Sequence, residues 1–324
     1  MNSSTALTPP SWPLTVFYAT TVFVLPLYFL IFVCLFRLRC ISKTYNTTFY
    51  TLLLQHCIAD ILAMVAYLVI ITASAIPVIR NFYFNYQEYY IAAAAYNHIY
   101  YTLYIRCTGI VLLSFQRFAV ITKRNSFITS EIQSAAKWKI VIVYWSLPTI
   151  ISLVVLKDTN FHYASFATMS VVAEQTVIQR NTLMALIVVI VTCISCSLAY
   201  GWIFIFIRKK SINISKSLRR EVHLAVQVFI LLFAFFAILV YYSFQNYFSQ
   251  TQNAGPIYYM RGIYPMANGL LSYINPFCVL LLNSNLAKQV IRSASCRDFK
   301  TSDFQVSAVV SYSTKQQQRQ NRRQ

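Results

Sequence analysis

The chain has 324 residues, 58% of them hydrophobic and 11% charged, against roughly 25% charged in an average soluble domain; a water-solvated globule is excluded. A formal net charge of +19 would suit a nucleic-acid partner only if the basic residues gathered on one water-facing surface. Their spacing along the chain gives a different account.

Seven mostly apolar runs follow one another: Leu14 to Phe36, Thr48 to Ile71, Ile91 to Val120, Ile140 to Leu156, Thr182 to Ile207, Val222 to Phe248 and Tyr258 to Leu282. Each reaches the roughly 17 residues that a helix needs to cross hydrocarbon, where the backbone must satisfy its own hydrogen bonds. No Lys or Arg precedes Pro13 and no small-residue cleavage site follows a short apolar core, so the first run is expected to remain as a spanning helix.

The connections between runs alternate in charge. The first, third and fifth, together with the segment after the seventh run, hold 21 of the 27 Lys and Arg, including Lys123, Arg124, Arg208, Lys209, Lys210, Arg219 and Arg220. The positive-inside rule places these in the cytosol. The expected fold is therefore an all-α membrane protein, a seven-transmembrane helix bundle with its N-terminus outside and its C-terminus cytosolic. The +19 reflects topology and anionic lipid rather than nucleic acid.

Leu286, Val290 and Ile291 recur at helical spacing beside Lys288 and Arg292, the pattern of a short helix lying on the inner leaflet. Residues 1–292 form the expected membrane domain with its short cytosolic surface helix, and residues 293–324, ending KQQQRQNRRQ, a basic tail of disordered composition. The eight cysteines all fall in the membrane or on the reducing side, so no disulfide framework is expected. Cys296, beside the surface helix, is a candidate for acylation.

Charges inside the runs carry the sharpest chemistry. Asp60, in QHCIADIL, costs at least about 2.5–3.5 kcal/mol at the bilayer centre unless partnered. Arg106 and Arg117 are eleven residues apart in the third run, which is roughly 20° beyond three helical turns and about 16 Å of rise; both share one face. An Asp60–Arg106 ion pair is one expectation. Separate solvation by amides such as Asn268 and Asn275 is the other, with His56 in the same polar cluster.

Toward the outer ends, Tyr96, Tyr100, Tyr101 and Tyr104 on the third run, Tyr241, Tyr242 and Gln245 on the sixth, and Tyr258, Arg261 and Tyr264 on the seventh would in part form an aromatic pocket if they face inward. Helix packing or an interfacial belt is the competing role of any one tyrosine. Arg261 is the candidate partner for an anionic ligand group.

Seven spans, the interior Asp60, Gln116-Arg117-Phe118 ending the third, Trp145 and Pro148 in the fourth and Asn275-Pro276 in the seventh together resemble a G-protein-coupled receptor. With Pro26, QHCIADIL, SFQRFAVI and YINPFCVLLLNSNLAKQ, the chain is most similar to the nematode serpentine chemoreceptors of the Srg superfamily, class V (Srv). The resemblance implies an extracellular small-molecule ligand, a heterotrimeric G protein as partner and the plasma membrane of a sensory neuron as location. It gives Arg117 the role of the G-protein switch. Gln116 replaces the family's usual acid there, and Glu221 is the nearest acid able to substitute. Asp60 matches a position that binds sodium in many relatives, with Arg106 supplying a fixed guanidinium in sodium's stead. Asn275-Pro276 begins the Asn-Pro-x-x-Tyr motif, but Val279 stands where tyrosine would. The usual extracellular disulfide and a proline in the sixth span are both missing.

A retinal photoreceptor is excluded, because Gly262 to Leu282 contains no lysine. No His-Glu-x-x-His, paired aspartates or nucleophile motif appears in a span, so neither enzyme chemistry, metal nor cofactor is expected. A transporter or ligand-gated channel with an intramembrane charge pathway is the alternative from a different class.

Overall fold

The apolar runs fold as helices, which close every backbone hydrogen bond without water. The computed structural model describes residues 10–42, 45–122, 126–209, 216–252, 254–282 and 284–294. In chain order these hold α1 (Trp12–Ile41), α2 (Thr48–Ala73), α3 (Pro77–Asn85), α4 (Ala92–Thr122), α5 (Phe127–Ser134), α6 (Lys137–Leu156), strands β1 (Phe161–Tyr163) and β2 (Val171–Ala173), α7 (Gln175–Lys209), α8 (Lys216–Gln250), α9 (Ala254–Leu282) and α10 (Ser284–Ala294). Among the described residues, six helices are long and apolar enough to cross a membrane. The seventh, α9, carries Pro265 and Pro276 and completes the bundle against α1 and α8. The chain is an all-α membrane protein of seven transmembrane helices.

Helices overrun the apolar runs at both ends: α7 begins at Gln175 rather than Thr182, and α8 at Lys216 rather than Val222. Hydropathy registers only the part of a helix in lipid, whereas the hydrogen-bond ladder continues until a cap or a breaker stops it. Pro13 in the first turn of α1 is favoured there, since its missing N–H would have had no partner.

α4 is the central helix, packing against α2, α6, α7 and α8. Gly109 permits the approach: a Cβ there would overlap the Tyr144 hydroxyl and the His56 ring.

One end of the bundle carries elements that the hydropathy pattern missed. Helix α3 starts with Pro77 after the extended Ile76, and a single π-type turn, Gln87–Ile91, joins it to α4 with Tyr90 at φ 66°. That left-handed conformation is costly for a non-glycine residue. It is held by the Tyr90 hydroxyl, which donates to the Leu156 carbonyl at 2.8 Å and accepts from Asn97 at 3.3 Å. Strands β1 and β2 pair antiparallel, with His162 opposite Val172, and the period of two turns Phe161 and Tyr163 inward and His162 outward.

At the opposite end, α5 packs on α4, and α10 on α1 and α9. Leu286 and Val290 are buried there while Ile291 is exposed. The surface helix therefore buries two of its three predicted apolar residues in protein rather than lipid. The tail beyond 294, with Cys296, lies outside the described residues.

Candidate functional site

Three polar constellations lie along α4. In the middle, Asp60 is fully buried. Its Oδ2 accepts hydrogen bonds from the Tyr28 hydroxyl at 2.5 Å and Asn275 Nδ2 at 3.2 Å, and Asn275 also donates to Tyr28 at 2.7 Å. His56 Nε2 stands 3.7 Å away, its Nδ1 sharing a 3.2 Å hydrogen bond with Tyr144. Asp60 Oδ1 has no hydrogen-bond partner.

Arg106 looks the other way. Its Nη2 donates to Asn268 Oδ1 at 2.6 Å, its Nη1 to the Asn268 carbonyl at 3.2 Å and Ser272 at 3.3 Å, and its Nε to the Thr102 carbonyl at 3.2 Å. Both charges border one narrow void that admits no water-sized sphere, yet the expected Asp60–Arg106 ion pair is not among the described contacts. Tyr28, His56 and Asn275 crowd the near side of Asp60, and α9 offers the guanidinium an amide, a carbonyl and a hydroxyl in one turn. Nor does the guanidinium stand in for a sodium ion at Asp60. Sequence reasoning missed Tyr28; its only signal was one hydroxyl in the apolar stretch LPLYFLIF.

Near α5, Arg117 is 2% exposed, with its guanidinium 3.3 Å above the ring centre of Phe49 on α2. This is a buried cation on an aromatic face, not a side chain snorkelling to water. Gln116 is buried, and its Oε1 has no hydrogen-bond partner. Glu221 falls in α8 at a position whose side chain lies outside the described residues.

At the hairpin end, a cavity of about 470 Å³ opens between α1, α2, α4, α8, α9 and the hairpin, inside the roughly 300–1,000 Å³ usual for small-molecule sites. Tyr96, Tyr100, Gln245, Arg261 and Tyr264 line it, as do Tyr241 and Tyr258. Tyr101, Tyr104 and Tyr242 do not: Tyr101 shares a hydrogen bond with Thr149 at 3.3 Å, Tyr104 is fully buried, and Tyr242 is buried beside Tyr241, ring centres 5.1 Å apart. Consecutive helical residues point about 100° apart, and here that turn carries Tyr242 away from the cavity that Tyr241 lines. Sequence reasoning also missed Tyr67 and Ile71 on α2, His98 and Ile99 on α4, and the hairpin residues Tyr163 and Met169 to Val171.

The hairpin is tied over the cavity without a disulfide. Tyr163 N–H donates to Gln87 Oε1 at 2.6 Å, the Phe161 ring lies 4.9 Å from Tyr96, and Arg261 donates to the Val171 carbonyl at 3.4 Å. Burial pushes the Tyr163 phenol up to about 12, so it remains a neutral hydroxyl at the rim. Close by, Arg180 pairs with Asp158, whose carbonyl also accepts from Asn97.

A seven-helix membrane bundle with a covered cavity at one end and a buried arginine at the other has the architecture of a serpentine receptor. The family model for the serpentine type 7TM GPCR chemoreceptor Srv matches residues 17–296, and the chain belongs to that family. No curated protein matches it in sequence.

Proposed function

We propose that this receptor binds an extracellular chemical ligand in the hairpin-covered cavity and signals through a heterotrimeric G protein at the α5 end. The carrying observation is the placement of the two sites at opposite ends of one helix, α4: Tyr96 and Tyr100 line the cavity, and Arg117 waits buried on Phe49. The charge pattern supports an orientation with the hairpin outside and the basic loops in the cytosol, at the plasma membrane. Residues 1–292 are then the signalling unit and residues 293–324 a cytosolic tail. Arg117, Gln116 and Glu221 make the switch, and Asp60, Arg106, Asn275 and Pro276 the polar core through which movement of α9 reaches α2 and α4.

A transporter or channel would need water beside its intramembrane charges, and the void at Asp60 and Arg106 admits no water-sized sphere. The test is nucleotide exchange on purified G proteins by receptor in lipid nanodiscs, screened over a chemical library. Ligand-stimulated exchange supports the reading. Ligand-gated current without G protein, and no exchange on any subtype, would replace it with the channel.

A further inference from the structure

We infer that the cavity selects an amphipathic anion: a molecule with one carboxylate-like group for Arg261, a hydroxyl for His98 and an apolar body between them. This rests on the cavity's being the ligand site, and specifies what enters it.

Charge comes first. Arg261 lines the cavity, and among the described residues no Asp or Glu does. Its one described hydrogen bond goes to the Val171 carbonyl at 3.4 Å, and no ion pair to it occurs among the described residues. The neighbouring cation, Arg180, is by contrast already matched by Asp158. A guanidinium in an aromatic cavity, held by one long bond to a neutral carbonyl, has donors left for a planar anion, which it engages in a two-pronged fork.

His98 supplies the second feature. Its Nδ1 lies 2.9 Å from the Ala95 carbonyl and 3.3 Å from that of Ala94. Carbonyl oxygens only accept, so Nδ1 carries the proton. In the neutral ring Nε2 is then an acceptor, and it is buried without a partner. A second cation beside Arg261, with no acid among the described lining residues, is unfavourable, which keeps the ring neutral. Nε2 therefore calls for a donor from the ligand, a hydroxyl or an N–H. Gln245 Oε1 is also buried and unpartnered; its amide can turn either end toward the ligand, so it adds adaptability rather than a sign.

Most of the remaining wall is apolar or aromatic, with the hydroxyls of Ser11, Ser74, Thr168 and Ser170 interspersed. Leu14, Ile70, Ile71 and Ile99 line one side, and Tyr67 and Tyr264 pack together at 5.8 Å. Such a wall suits an alkyl or ring body and disfavours a heavily hydrated sugar or peptide.

The experiment uses receptor in nanodiscs and three probe series of equal chain lengths: ω-hydroxyalkyl carboxylates, the matching primary amides and the matching amines. Thermal stabilisation is read for each, with carboxylates lacking the hydroxyl as a further control. The carboxylates are expected to stabilise the receptor in preference to the other two. Arg261→Gln should weaken them by about ten-fold or more, as for loss of a charge-assisted bond. His98→Phe should abolish the preference for hydroxylated over plain carboxylate; a preference that survives it would overturn the hydroxyl assignment. If amides or amines bind and carboxylates do not, the anion assignment is overturned while the cavity stays the ligand site. If Arg261→Gln binds carboxylates as well as wild type does, the assignment is likewise overturned. If no series stabilises the receptor at millimolar concentration, the amphipathic-anion inference fails, whereas G-protein activation by other library compounds would still uphold the cavity reading.

Discussion

Arg117 rests buried with its guanidinium on the face of Phe49. A ring holds a guanidinium by about 0.5–2 kcal/mol, and that contact contributes to keeping the resting state in place. Phe49→Leu should raise ligand-independent nucleotide exchange by roughly two- to thirty-fold, that energy converted to a population ratio, whereas Phe49→Trp should preserve the low basal rate. An unchanged basal rate in Phe49→Leu would show that the ring does not restrain the switch. In the polar core the contacts are amide to charge. Asn268→Leu removes the shortest of the four hydrogen bonds that Arg106 donates and should cost about 1.5–3 kcal/mol of stability, read as a fall in Tm and in surface expression. The charge swap of Asp60 and Arg106 should not rescue either single variant, because the two side chains use different partners. Rescue by the swap would mean that they do pair.

Among the elements, the β1–β2 hairpin does the most to shape the cavity. The cysteines of the described residues are all free, and the hairpin hangs on Gln87, Tyr96 and Arg261 instead. Reducing agent should therefore leave ligand response unchanged, while Gln87→Ala should speed ligand dissociation by freeing the hairpin. A response lost on reduction would point to a covalent tie. The spanning helices were legible in sequence because lipid imposes long apolar runs and a charge asymmetry, and most of the cavity's tyrosines stood out on the third, sixth and seventh runs. The hairpin was not legible: FHY and VVA are too short for a period-two pattern to register, and their pairing is set by the α4 surface beneath. His98 and Tyr67 went unnoticed for another reason. A single ring on an apolar helix gives no sign of which way it faces until its neighbours are placed.

At the scale of the whole molecule, α4 joins a cavity at one end to a buried arginine at the other past a tightly packed polar core. Tags at the hairpin turn and on the connection between α7 and α8 should be accessible from opposite sides of the membrane, the basic connection from the cytosol. Labelling of both from the same side would overturn the topology on which the signalling direction depends. The most direct test compares two single variants, with an agonist from the screen, for both binding and nucleotide exchange. Gly262→Trp, which fills the cavity, should lose binding and exchange together, while Arg117→Ala should keep binding within a few-fold and lose exchange. Exchange that survives Arg117→Ala, or agonist binding untouched by Gly262→Trp, would contradict the account.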